Sequence, residues 1–145
     1  MTGDPLPSSS EALDTLYRSQ EDPFGTRTIP EKLVRYGELA RLLPGYLIHD
    51  AADLACGEGD FTARLARVAE RVIGLDLSES VIERAKQRVP TASFQVSDVR
   101  DLTPEWFGRF DLICWLDAIY WLTPKESVRV LERLAEGTSG QRLTF

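Results

Sequence analysis

One stretch, Asp53-Leu54-Ala55-Cys56-Gly57-Glu58-Gly59-Asp60-Phe61, constrains the fold more than any other part of the 145-residue chain. The apolar segment before it reads as a buried strand. After it, Phe61, Leu65, Val68 and Ala69 recur at helical spacing, which predicts a helix reaching about Glu70. Two glycines one residue apart thus fall in a strand-to-helix turn. Glycine lets a ligand approach bare backbone there and makes positive φ accessible, and the start of the helix offers unpaired N–H groups. Val72 to Leu75 reads as a second strand, with Asp76 at its tip. A Gly-rich turn followed by an acid at the end of the next strand is how open α/β sheets hold a nucleoside.

The rest of the chain fits this frame. Met1 to Pro7 reads as a mobile tail. Ser8 to Glu11 carries a capping-box pattern ahead of a short helix with Leu13, Leu16 and Tyr17 on its apolar stripe. Asp22-Pro23 and Gly25 break that helix. Thr28 to Glu31 repeats the capping pattern before a second helix, which runs to about Leu43 and presents Leu33, Tyr36, Ala40 and Leu43. Beyond Pro44-Gly45 strands and helices alternate. Ser78 caps a helix bearing Val81, Ile82, Ala85 and Val89. Ser93 to Val96 is a third strand, Leu102 to Gly108 a loop or single turn, and Phe110 to Trp115 a fourth strand, nearly all apolar. A short helix spans Ala118 to Leu122. Thr123-Pro124-Lys125-Glu126 opens a last helix with Val128, Leu131, Leu134 and Ala135 on one face. Gln141 to Phe145 reads as the start of a fifth strand. The expectation is a single α/β domain, a doubly wound and mostly parallel Rossmann-like sheet. Residues 1–45 form a helical cap and 46–145 a core that stops after strand five.

A formal charge of −6 argues against a broad nucleic-acid surface. No span suits a membrane crossing and the N-terminus lacks the pattern of a secretory signal, so the expected location is cytoplasmic. Cys56 and Cys114 lie far apart and read as reduced core thiols, not as a disulfide or a metal site. His49, the one histidine, reads as a turn residue ahead of the first strand.

The chemistry-bearing residues fall at strand ends. Asp76 can accept hydrogen bonds from two ribose hydroxyls. Asp98, after the third strand, can accept from an exocyclic adenine amine while the Val99 N–H meets a ring nitrogen. Asp53 is a carboxylate in an apolar run and needs partners, which the backbone or the cationic amine of a ligand can supply. Together they describe a pocket for an adenosine with an amino-acid-like tail. A dinucleotide site would want a third small residue where Thr62 stands, and would leave Asp98 without a role.

The stretches Asp53 to Thr62, Val72 to Ser78, Phe94 to Val99 and Phe110 to Trp115 resemble, in order and spacing, the four motifs of class I S-adenosylmethionine-dependent methyltransferases. Leu16-Tyr17, Asp22 to Gly25, Tyr36, Leu42-Leu43-Pro44 and Asp117 to Leu122 resemble the NodS-like branch of nodulation N-methyltransferases. The resemblance implies S-adenosylmethionine as cofactor, bound by Tyr36, Asp53, Leu54, Ala55, Cys56, Gly57, Gly59, Phe61, Asp76, Leu77, Ser97, Asp98, Val99 and Leu116. It also implies further strands beyond the fifth, which this chain lacks, so its open sheet edge could recruit a second copy or another partner.

Methyl transfer is an in-line displacement, helped by alignment and exclusion of water. Asp117, just past the fourth strand, is the candidate base or amine-orienting group. Tyr120 and Trp121 are candidate walls of the acceptor pocket, Tyr120 also a candidate catalytic residue. The expected reaction is methylation of a small molecule, favouring N-methylation of an amino sugar or similar amine. The alternative is a cofactor-binding fragment or subunit without activity of its own.

Overall fold

The computed structural model describes residues 9–139. The N-terminal tail and the fifth strand expected at Gln141 to Phe145 lie outside that range. Two helices, α1 (Ser10–Ser19) and α2 (Pro30–Arg41), precede the first strand, β1 (Ile48–Leu54). There follow α3 (Thr62–Leu65), β2 (Ala69–Asp76), α4 (Glu79–Arg88), β3 (Ser93–Val96), α5 (Pro104–Phe107), β4 (Leu112–Trp115) and α6 (Pro124–Gly137). Single 3-10 turns sit at Val99–Asp101 and Ile119–Trp121.

The four strands are all parallel in the order β3-β2-β1-β4. The chain builds outward from β1 through β2 to β3, then returns across the sheet to lay β4 on the other side of β1. The gap between β1 and β4 is therefore the point where strand order reverses, and ligands of open α/β sheets bind at the carboxyl ends of strands there.

Period-two alternation sorts β1 between the faces. Ala51 packs with Val72, Leu112, Phe61, Leu65 and Tyr36. Ala52 and Leu54 pack with Leu75, Ile113, Phe107, Val130 and Leu134 on the opposite face. A third cluster, Tyr17, Cys56, Val81 and Ile82, lies under Leu13, Phe24 and Phe94 and seats α1 against α4. Gly74 is needed where β2 meets Phe94: a Cβ there would stand 2.7 Å from the Phe94 ring and 2.9 Å from the Cys56 sulfur.

Several local expectations are corrected. The helix after the Gly turn is one turn long, because Ala69 and Glu70 are drawn into β2, where Ala69 pairs with Ile48. Pairing between the two central strands outweighs the helical stripe, so the helix that starts after the glycines ends at Leu65. The first cap is Ser9, accepting from the Ala12 N–H at 3.2 Å, and the Ser8 of the expected capping box lies outside the described residues. No side chain caps α2. The Thr28 hydroxyl donates to Asp22, whose carboxylate also takes the N–H groups of Thr26, Arg27 and Thr28. Asp22 thus organises the α1–α2 loop instead. β4 begins at Leu112, two residues later than expected. His49 lies inside β1, exposed, with Nδ1 3.1 Å from Glu70. The box at Thr123 and Glu126 is formed as expected.

Candidate active site

A cavity of about 160 Å³ opens over the carboxyl ends of the strands. Its floor comes from residues just past β1, β2, β3 and β4. Its roof comes from α1, the α1–α2 loop and α2, through Leu13, Tyr17, Phe24, Lys32 and Tyr36. Tyr36 stacks edge-on against Phe61 at 5.4 Å, and Phe24 stands between Tyr17 and Trp121 at 5.6 and 5.1 Å. Tyr36, assigned to the cofactor pocket from the sequence, lies in this roof, while Tyr17 and Phe24 were not assigned there.

Of the residues assigned to the pocket from the sequence, Tyr36, Asp53, Ala55, Cys56, Gly57, Phe61, Asp76, Leu77, Ser97, Asp98, Val99, Leu116, Asp117 and Tyr120 all line the cavity. Leu54 and Gly59 do not. Alternation turns Leu54 to the far face, where it is fully buried. Gly59 has φ +85°, and a Cβ there would meet Val89 and Phe94, so both backbone conformation and packing call for glycine.

Asp53 sits on the pocket face of β1, 2% exposed, and accepts the Thr62 hydroxyl at 2.6 Å. Burial is the main influence on its carboxyl and pushes its pKa up to about 7, with Asp76 adding to the rise against the Thr62 bond. In the unfolded chain the same group ionises near pH 4. Between those values the unfolded state has released a proton that the folded state keeps, so this group makes stability fall as pH rises from about 4 to about 7, and level above that. Asp53→Asn should remove that component from the pH profile of thermal stability. An unchanged slope in the variant would deny Asp53 this role.

Asp76 is also buried and accepts the N–H groups of Gly57 at 2.9 Å and Ser78 at 3.1 Å. Its carboxylate therefore fixes the Gly turn and the start of α4 together. A carboxylate has about four acceptor positions, so these two bonds leave acceptor capacity facing the cavity. Asp98 is differently placed. Arg100 grips both its oxygens, with Nε at 2.9 Å from each, and donates its backbone N–H as well; the guanidinium also reaches Glu126 at 3.1 Å. A ligand amine at Asp98 would share that carboxylate with Arg100.

At the end of β4, Asp117 takes φ +56°, as does Ala55 at the end of the neighbouring β1. Non-glycine residues in this region are uncommon, and Asp tolerates it better than most. The twist turns the Asp117 carboxylate to the roof, where Arg35 and the Tyr36 hydroxyl, the latter at 3.2 Å, bind it.

The main feature that the sequence did not disclose is the cluster around Glu58. This carboxylate, 6% exposed, receives Arg84 at 2.9 Å, Arg88 at 3.0 Å and Arg27. Arg84 also donates to the carbonyls of Tyr17 and Gln20. The cluster ties the roof to the Gly turn and to α4. One signal was present: an acid between two glycines in a buried turn requires cations.

The sequence matches the methyltransferase domain family over residues 51–138. It is 34% identical to a trans-aconitate 2-methyltransferase of Variovorax paradoxus, over 84% of this chain and 45% of that protein. It is 33% identical to the trans-aconitate 2-methyltransferase of Deinococcus radiodurans, over 69% of this chain and 39% of that protein. The chain thus spans less than half the length of these relatives. Among solved structures, the N-methyltransferase NodS from Bradyrhizobium japonicum, in complex with S-adenosyl-L-homocysteine, superposes with a TM-score of 0.75 at 22% identity, over 90% of this chain and 67% of that one. The parallel sheet, its reversal point and the cavity over it define an S-adenosylmethionine-dependent methyltransferase fold. This chain belongs to the methyltransferase domain family, whose cofactor is S-adenosylmethionine.

Proposed function

We propose that this chain binds S-adenosylmethionine in the described cavity and methylates a small molecule, with an amine, such as an amino sugar, as the acceptor. The observation that carries this reading is the polarity of the cavity wall: seven carboxylates, Asp22, Asp53, Glu58, Asp60, Asp76, Asp98 and Asp117, face three cationic side chains. Such a wall favours the sulfonium and the amine of the two ligands. The buried acids also fit the cofactor chemically. Asp53, protonated in part near neutral pH, would be held ionised by a cationic α-amine. Asp76 keeps acceptor positions for hydroxyls.

When bound, the cofactor supplies an electrophilic methyl group on a cationic sulfur. The chain's own residues do the rest. The Gly57 turn and Asp76 hold the nucleoside end. Tyr17, Phe24, Tyr36 and Trp121 exclude water, and holding the reactants in place replaces a bimolecular encounter. Asp117, its carboxylate positioned by Arg35 and Tyr36, accepts an N–H of the amine and thereby orients the nitrogen lone pair.

Asp117→Asn should lower turnover at least about tenfold, the low end for loss of a positioned acid-base group, with cofactor affinity unchanged by calorimetry. A large loss of cofactor binding with turnover intact at saturation would contradict the role. A second reading is a cofactor-binding unit that needs a partner. Cofactor binding with no transfer to any amine would favour it.

A further inference from the structure

Two of the three cationic side chains on the cavity wall are neutralised by the wall itself. Arg27 pairs with Glu58 and Asp60, and Arg100 with Asp98 and Glu126. Lys32 is different. Among the described residues its ammonium pairs with no carboxylate, and its recorded bond is to the Phe24 carbonyl at 2.7 Å. An ammonium carries three donors, and the Phe24 carbonyl takes one of them.

The position of Lys32 follows from helix geometry. Lys32 and Tyr36 are four residues apart, so they share one face of α2. The Tyr36 hydroxyl reaches Asp117 at 3.2 Å. Phe24, whose carbonyl anchors the lysine, stacks against Trp121 at 5.1 Å. Lys32 thus lines the cavity roof beside Phe24, which stands between Trp121 and Tyr17, and shares its helix face with Tyr36, the partner of Asp117. On the same helix Arg35 adds a second cation, bound to Asp117.

We propose that Lys32 receives an anionic group of the acceptor, a carboxylate or a phosphate, so that the molecule methylated is an amine that also bears an acid. This rests on the amine-methyltransferase reading above. The wall then offers a matched pair of charges, Asp117 for the nitrogen and Lys32 for the acid, and a neutral amine leaves one of them unused.

The test is calorimetry on the whole chain saturated with S-adenosylhomocysteine, using three amines that share one sugar: glucosamine, glucosamine 6-phosphate and glucosaminic acid. One or both acidic forms should bind about tenfold or more tighter than glucosamine, the scale of one charge-assisted contact; which of them does so tells phosphate from carboxylate. Lys32→Gln keeps a donor for the Phe24 carbonyl but removes the charge, and should erase the advantage. Lys32→Arg should retain it. Affinity for S-adenosylhomocysteine should stay within about twofold in both variants, since Lys32 serves the acceptor. Equal binding of the three amines, a preference that survives Lys32→Gln, or no binding of any amine to the loaded chain would overturn the proposal. Failure of the underlying reading shows separately, as a wild-type chain that does not retain S-adenosylhomocysteine.

Discussion

Glu58→Gln should destabilise the folded chain by about 2–4 kcal/mol, with the urea midpoint shifted and the m-value unchanged. Breaking a buried ion pair typically costs about 3–5 kcal/mol because the partner charges lose their counter-ion. Here the carboxylate is 6% exposed, but Arg27, Arg84 and Arg88 are 28%, 34% and 36% exposed and regain some water, which lowers the figure. The loss is large against the roughly 5–15 kcal/mol that holds a typical domain folded. It also releases the roof of the cavity, because Arg27 lies in the α1–α2 loop and Arg84 binds the last carbonyls around α1. A urea midpoint equal to wild type would show that the three arginines are satisfied by water and one another's neighbours.

Asp76→Ala should weaken S-adenosylhomocysteine binding by about 1–3 kcal/mol, the range for a ligand donor left without its acceptor. The variant also strands two backbone N–H groups, those of Gly57 and Ser78, at about 1–3 kcal/mol each in folding stability, so the Gly turn loses its shape as well as its acceptor. Asp76→Asn keeps one oxygen and should lose less. Calorimetry on the three proteins, with circular dichroism to confirm the fold, gives the comparison. Equal affinities for wild type and Asp76→Ala would remove Asp76 from the site.

The chemistry of the strand tips was legible because it is local. Asp53, Asp76, Asp98 and Asp117 each lie at or just past the carboxyl end of a strand, and those ends in a parallel sheet share one edge. The Gly57 turn was legible for the same reason. What the sequence concealed depends on distant partners. Ala69 reads as helical until Ile48 pairs with it. Thr28 reads as a cap until Asp22 takes its hydroxyl. Leu54 was assigned to the pocket with its neighbours, and only the alternation of β1 shows it facing the other core. Arg100 and the cations around Glu58 are ordinary surface residues by sequence; what defines them is which carboxylate they meet. Lys32 is the reverse case, marked by meeting none among the described residues.

The order of the strands has a consequence for how binding competence arises. Ile48 meets Ala69 across a short excursion of chain, whereas Ala51 meets Leu112 across one about three times longer. Closing the longer loop costs about 1 kcal/mol more in chain entropy. The floor of the cavity spans both contacts, with Ala55 and Asp76 on the near side and Leu116 and Asp117 on the far side. Ligand affinity therefore reports on the least local strand pairing in the sheet: a chain with β1 to β3 assembled and β4 undocked holds half a site. A ligand that needs both halves adds its binding free energy to the docking of β4, so cofactor supply acts on the completion of the fold as well as on turnover.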